Sequence, residues 1–155
     1  MAGGAADCYY VLQSSSSPPS LPLRSTAVEV SDYLFRTRGL TVGTVISAVE
    51  GGLPTAYYVD SEGTRERVTF RSVGSGSTTA QAMMEDFCRL NPPPAGLEGR
   101  VGACCEVGAG VVAIREAVVE STRRDGYSGG VVQVYVVEEG GWWKEEAVDW
   151  GDDAN

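Results

Sequence analysis

The chain has 155 residues, a formal net charge of -9 and no histidine. That length amounts to one domain and is enough to bury roughly 70% of the unfolded surface. The acidic balance argues against nucleic acid or an anionic membrane as partner, since both need a concentrated basic face. No apolar run approaches the roughly 20 residues of a membrane span, and the region around Met1 lacks a signal peptide's basic start, so the expectation is a soluble intracellular chain.

In chain order, an apolar stretch at Cys8 to Leu12 is followed by a break from Gln13 to Leu23, with four consecutive serines and Pro18, Pro19 and Pro22. Proline at that density excludes helix interior. The spacing of Val28, Leu34 and Phe35 predicts a short helix over 27–38, with Glu29 and Asp32 early, Arg36 and Arg38 late, and Gly39 as its cap. Leu40 to Val49 reads as a strand carrying Val42, Ile46 and Ala48 on one side. Gly51, Gly52 and Pro54 turn the chain into a second strand, Thr55 to Asp60, and Ser61-Glu62-Gly63 turns it into a third, Thr64 to Val73. Three sequential strands make a meander.

Gly74-Ser75-Gly76-Ser77 leads into a helix over 79–90, for which Thr78 and Gln81 have capping-box spacing, and Asn91 with Pro92, Pro93 and Pro94 ends it. Residues 95–105 are glycine-rich and read as loop. A second long helix is expected over 107–124, with Val107, Val111, Ile114 and Val118 on one face. Gly108 and Gly110 weaken its first turns by about 1 kcal/mol each relative to alanine. Arg123 and Arg124 suit a helix C-terminus, and Gly126 turns the backbone. Ser128, Gly129 and Gly130 form a corner, Val131 to Val137 is a strand, and Gly140-Gly141 closes a hairpin onto Trp142 and Trp143. These tryptophans face opposite sides, one toward the core and one outward. The organisation expected is one domain over 1–148, irregular at 13–23 and 91–105, followed by an acidic tail at 149–155.

Cys8, Cys88, Cys104 and Cys105 form no C-x-x-C, and no histidine exists to complete a zinc site, so reduced thiols and no metal or cofactor are expected. The Gly74 to Thr78 turn could gather free N-H groups around a phosphate, but it lacks the Gly-Lys-Ser/Thr of a Walker loop and reads instead as a strand-to-helix turn with capping hydroxyls. Asp125 and Ser128, three residues apart at a corner, can share one hydrogen-bond network, either to orient a catalytic group or to stabilise the turn. Without histidine, Ser-His-Asp and Cys-His hydrolysis are excluded.

Several stretches taken together resemble a family. Met1-Ala2-Gly3-Gly4-Ala5-Ala6-Asp7-Cys8, Gly39 to Thr44, Tyr57 to Gly63 running on to Ser72-Val73-Gly74-Ser75-Gly76-Ser77, and Asp125 to Gly130 with its valine-rich strand and Gly-Trp hairpin resemble proteasome β-type subunits, above all the chymotrypsin-like fifth type. The resemblance implies an N-terminal nucleophile hydrolase fold, a four-layer sandwich of two sheets between helical layers. Here it would be α+β and incomplete, with the early strands missing. It implies that Ser75, Asp125 and Ser128 surround the amino group of an N-terminal threonine nucleophile. It further implies that Gly3 offers a backbone N-H to the oxyanion, and that Met1 and Ala5 shape the first specificity pocket.

The family's threonine, with the lysine and aspartate that tune it, would lie before Met1. The resemblance therefore implies a threonine-type endopeptidase relative that is non-catalytic as given, with Ser75, Asp125 and Ser128 as vestigial catalytic support and Met1, Gly3 and Ala5 as vestigial substrate contacts. Gly43-Thr44 and Gly63-Thr64 look like the bond at which the family releases its propeptide, but the first is expected in a strand and the second in a turn. The one lysine of the chain, Lys144, lies in the last hairpin. Other α- and β-type proteasome subunits are the implied partners, and cytoplasm and nucleus the implied location. The competing reading is a small acidic interaction protein outside the proteasome, or a degenerate copy.

Overall fold

A computed structural model of the chain describes residues 2–3, 7–8, 11, 21–145 and 148–149. Helices and antiparallel sheets occur together, an α+β composition. The residues group into two compact units, Met1–Gly74 and Ser75–Asn155.

The first unit holds strand β1 (Ala2–Gly3), helix α1 (Leu23–Arg36) and strands β2 (Val42–Glu50), β3 (Leu53–Val59) and β4 (Arg65–Val68). They form one antiparallel sheet in the order β1-β2-β3-β4, with Gly3 opposite Val42 and Thr44 opposite Val59. Helix α1 begins four residues before the expected Ala27 and stops at Arg36, leaving Arg38 outside. Pro22, whose ring presets the backbone, stands at its N-cap with no side-chain cap. The Glu50 carboxylate accepts from the Leu23 N-H at 2.6 Å, placing negative charge at the positive end of the helix.

The buried stripe of α1 is Leu23, Ala27, Val30 and Leu34. Of the three apolar positions singled out in the sequence only Leu34 is buried, while Val28 and Phe35 are exposed. The stripe packs on the sheet through Val11, Val30, Leu34, Val42 and Val59, with Cys8, Tyr33, Leu40 and Ile46 around them. Full burial of one such side chain stabilises by about 1.5–3 kcal/mol.

Gly51 and Gly52 both take positive φ, +57° and +74°, as the tight primed hairpin turn requires. Pro54 is not part of that turn. It pairs with Val49 inside β3, beyond the reach of β4, where its missing N-H costs no ladder bond. The third strand ends at Val68, five residues short of the expected Val73. In the turn before it, Asp60 Oδ1 accepts from the N-H groups of Glu62 and Thr64, and the Ser31 hydroxyl of α1 donates to the Gly63 carbonyl at 2.5 Å.

In the second unit, α2 (Ser77–Leu90) and α3 (Val107–Arg124) pack on each other, joined by residues 91–106, which carry turns without helix or strand. The expected capping box does not form. Helix α2 starts at Ser77, so Thr78 is already inside it, and Gln81 reaches forward to Glu85 at 3.0 Å. Val111, Ala117 and Ser121 are the buried positions of α3, whereas Val107, Ile114 and Val118 of the expected face are exposed. Small side chains at the contact let two helices approach closely, so the buried stripe follows size as well as apolarity.

The valine-rich run is split into β5 (Val131–Val132) and β6 (Tyr135–Glu138), because its two halves have different partners: β6 pairs with β7 (Gly141–Lys144), β5 with β8 (Val148–Asp149). One side of the run stays continuous, Val132 and Val134 packing on Val111 with Val119 and Val136 beside them. The hairpin turn is Glu139-Gly140, and Gly141 is the first residue of β7. Both tryptophans of the hairpin are open to solvent, Trp142 68% and Trp143 39% exposed, so neither is core. Among the described residues, Tyr135 meets Trp142 edge-on at 5.6 Å, and the Trp143 indole N-H donates to Glu138 at 3.1 Å. Among the described residues no helix is long and apolar enough to cross a membrane.

Candidate functional site

The site is assembled at the start of α2 and the end of α3. Gly74, at φ +111°, turns the chain so that Ser75 and Gly76 stand just before α2. At the other side α3 ends on Asp125, whose N-H still donates to the Ser121 carbonyl at 2.9 Å. The Asp125 carbonyl then accepts from the Ser128 N-H at 3.1 Å, closing the corner. Pairing of Arg123 and Arg124 with Glu120, at 3.4 and 2.6 Å, keeps cations at the negative end of α3.

Three side chains converge there. Asp125 Oδ2 accepts from the Ser75 hydroxyl and from the Ser128 hydroxyl, each at 2.5 Å. Ser75 and Asp125 lie fifty positions apart in the chain, so this contact is tertiary, whereas Ser128 is a local partner. The hydrogen bond from Ser128 and then that from Ser75 hold the Asp125 carboxyl below its ordinary 3.8, despite the opposing effect of desolvation, with the Tyr127 backbone adding a smaller contribution.

Two further groups shape the corner. The buried Ser121 hydroxyl donates to the Ala117 carbonyl at 2.8 Å and lies 3.2 Å from the Gly76 carbonyl, joining α3 to the turn before α2. Gly76 is tightly enclosed: a Cβ there would come within 3.0 Å of both Ser121 Cβ and Ser128 Oγ. Its φ is -81°, so the requirement for glycine is steric rather than conformational. Sequence reading passed over Ser121, whose only signal is its spacing of four from Ala117 on the small-residue stripe of α3. In the sequence Gly76 reads as half of a phosphate-binding or capping turn. The expected capping hydroxyls are not found: α2 has no side-chain cap, and the strand preceding the turn ends at Val68.

Of the three residues named as substrate contacts, one is described, and it belongs to the first unit. Gly3 lies in β1 opposite Val42, while Met1 and Ala5 fall outside the described residues. The two internal Gly-Thr pairs do not form sites. Thr44 is buried in β2, and Thr64 donates its N-H to Asp60 in the turn before β4. Lys144 lies in β7 with its ammonium 5.8 Å from the centre of the Tyr135 ring. Among the described residues no cluster of three or more Cys, Asp or Glu is arranged to hold a metal ion.

What the corner can do follows from its donors. Each serine spends its one hydroxyl proton on Asp125, which leaves the oxygen lone pairs free to accept. A carboxylate carrying two such oxygens suits a nearby cationic N-H group and does not generate an alkoxide.

The family profile described as proteasome subunit matches residues 1–137. The chain is 34% identical to proteasome subunit beta type-5 of Spinacia oleracea over 98% of its own length and 55% of that protein. It is 32% identical to beta type-8 of Homo sapiens, covering 98% and 54%, and 35% identical to beta type-5 of Gallus gallus, covering 96% and 57%. It spans about half the length of the curated relatives it matches. With a profile match across most of its residues and β-type relatives aligned along nearly all of it, the chain belongs to the proteasome subunit family, among the β-type subunits.

Proposed function

We propose that the chain is a β-type subunit of the 20S proteasome core, involved in the proteolysis of intracellular proteins, that it is non-catalytic as given, and that its corner is a vestige of the family's catalytic support. The observation that carries this reading is the Asp125 carboxylate accepting from two serine hydroxyls, one of them delivered from fifty positions away. Oxygens arranged in this way favour an ammonium group, the feature that a threonine α-amino group would present in the family. Ser75, Asp125 and Ser128 are accordingly assigned as vestigial catalytic-support residues, and Met1, Gly3 and Ala5 as vestigial substrate contacts. The enclosing architecture is read as an incomplete four-layer αββα sandwich, the partners as other α- and β-type subunits, and the setting as cytoplasm and nucleus.

Among the described residues no group is placed to activate a hydroxyl. There is no histidine, Thr44 is buried, Thr64 is held in a turn, and Lys144 stands over Tyr135. The chain by itself is therefore read as non-catalytic. Two measurements on the purified chain test the proposal. It should leave a fluorogenic peptide with a large apolar residue at the cleavage position intact, and it should co-migrate with a many-subunit particle when expressed with α- and β-type subunits. Peptide hydrolysis by the chain alone would overturn the non-catalytic assignment. A soluble species that stays small beside its candidate partners would favour the acidic interaction protein, and insoluble protein the degenerate copy.

A further inference from the structure

The far end of the α2–α3 pair, away from the Asp125 corner, carries three of the four cysteines. Cys88 lies in the last turns of α2, and Cys104 and Cys105 precede α3. Residues 94–103 return the chain to α2 by successive tight turns. Leu97 N-H donates to Pro94, Arg100 to Leu97 and Ala103 to Arg100, at 3.0, 3.2 and 3.4 Å, with Gly96, Gly99 and Gly102 at positive φ. The result is a thiol pair sixteen positions apart in sequence with its sulfurs 3.1 Å apart. Cys105 is placed differently: its sulfur lies 3.2 Å from the point where a Cβ on Gly110 would stand, over the first turn of α3.

We propose that Cys88 and Cys104 are an oxidisable pair that closes reversibly into a disulfide by exchange with a small-molecule disulfide, tying the end of α2 to the segment before α3. The sulfurs need to move only about 1 Å to reach the roughly 2.05 Å bond length. All three thiols are half-buried, which leaves a route for a small oxidant. Burial, contact with Cys104 and the neighbouring sulfurs push the Cys88 thiol up to about 12, so Cys88 suits the second step rather than the first. The Cys104 thiolate attacks the small disulfide, forming a mixed disulfide and releasing one small thiolate. The Cys88 thiol then gives its proton to solvent, attacks Cys104 Sγ and releases the second thiolate. Two protein thiols are oxidised, and one small disulfide is reduced to two thiols.

The full chain, equilibrated in thiol/disulfide buffers from reducing to oxidising and then alkylated, tests the inference by mass. At the oxidising end the protein should lose the mass of two hydrogen atoms and two alkylatable thiols, and proteolysis should yield a peptide linking Cys88 to Cys104. Because the bond closes a short loop, the thermal unfolding midpoint should rise by on the order of 5–10 °C. Cys8→Ser and Cys105→Ser should keep the linkage, and Cys88→Ser should lose it. Four alkylatable thiols under the most oxidising buffer, a persistent mixed disulfide, or a link through Cys105, Cys8 or a second chain would each overturn the proposal. The mass of the unmodified sequence decides the matter even if a variant fails to fold.

Discussion

The two units are held together in different ways. In Met1–Gly74, Leu34, Val11 and Val59 are almost wholly shielded, and helix α1 lies on a continuous sheet. In Ser75–Asn155 the apolar cluster is three valines, the sheets are two-stranded, and the tightest geometry surrounds a carboxylate, a buried serine and a glycine with no room for a Cβ. Side-chain volume dominates the first unit, although its Gly63 turn also approaches Ser31 closely, whereas in the second unit the close approach and hydrogen bonding gather around one polar corner. Truncating a core side chain should therefore harm the first unit most, and filling Gly76 or removing a serine hydroxyl should harm the second.

The largest effect is expected from Leu34→Ala, which should destabilise the first unit by about 2–5 kcal/mol through a cavity, read by urea unfolding under circular dichroism. Gly63→Ala breaks the same unit by strain. Gly63 has φ +81°, and a Cβ there would lie 2.6 Å from the Ser31 carbonyl oxygen, so a loss of about 1–3 kcal/mol is expected in the same assay. Gly76→Ala should cost about 1–3 kcal/mol and spread the corner, visible as displaced amide resonances for Ser121 and Ser128. If its effect is neutral, the close packing claimed for the second unit is wrong.

Ser121→Ala should cost about 1 kcal/mol by removing the donor to Gly76 and Ala117. The smallest effect sharpens the electrostatic side. Since Asp125 is held below its ordinary 3.8, its ionised form contributes stability above that pH, and this is lost as pH falls through the lowered value. A carboxyl-detected NMR titration should place Asp125 below other aspartates, and Ser75→Ala with Ser128→Ala should bring it back toward 3.8.

Local signals read well where one residue type has one structural use. Arg123 and Arg124 before Asp125-Gly126 marked the end of α3, and Gly51-Gly52 marked the hairpin. Choosing a buried face was harder. Val28 and Phe35 have helical spacing and the right polarity, yet the sheet lies on the side of Leu23, Ala27 and Val30, and periodicity alone does not select between two overlapping stripes. Likewise Ala117 and Ser121 are buried where the valines of α3 are not, because helix contact rewards smallness. At the corner, the partnership of Asp125 with Ser128 follows from their spacing, while a contact between Ser75 and Asp125 requires α2 and α3 to lie side by side. The split in the Val131 to Val137 run depended on partner strands further on, and the sequence of the run itself carries no trace of the break.

The hairpin has an optical consequence. The two described tryptophans, Trp142 and Trp143, lie in the second unit and already face water in the folded protein. Their emission will look partly unfolded from the outset and will change little when the hairpin itself unfolds. Fluorescence scans would then report a shallow change from these two indoles. Covering the indoles by another surface would shift that same light to shorter wavelength.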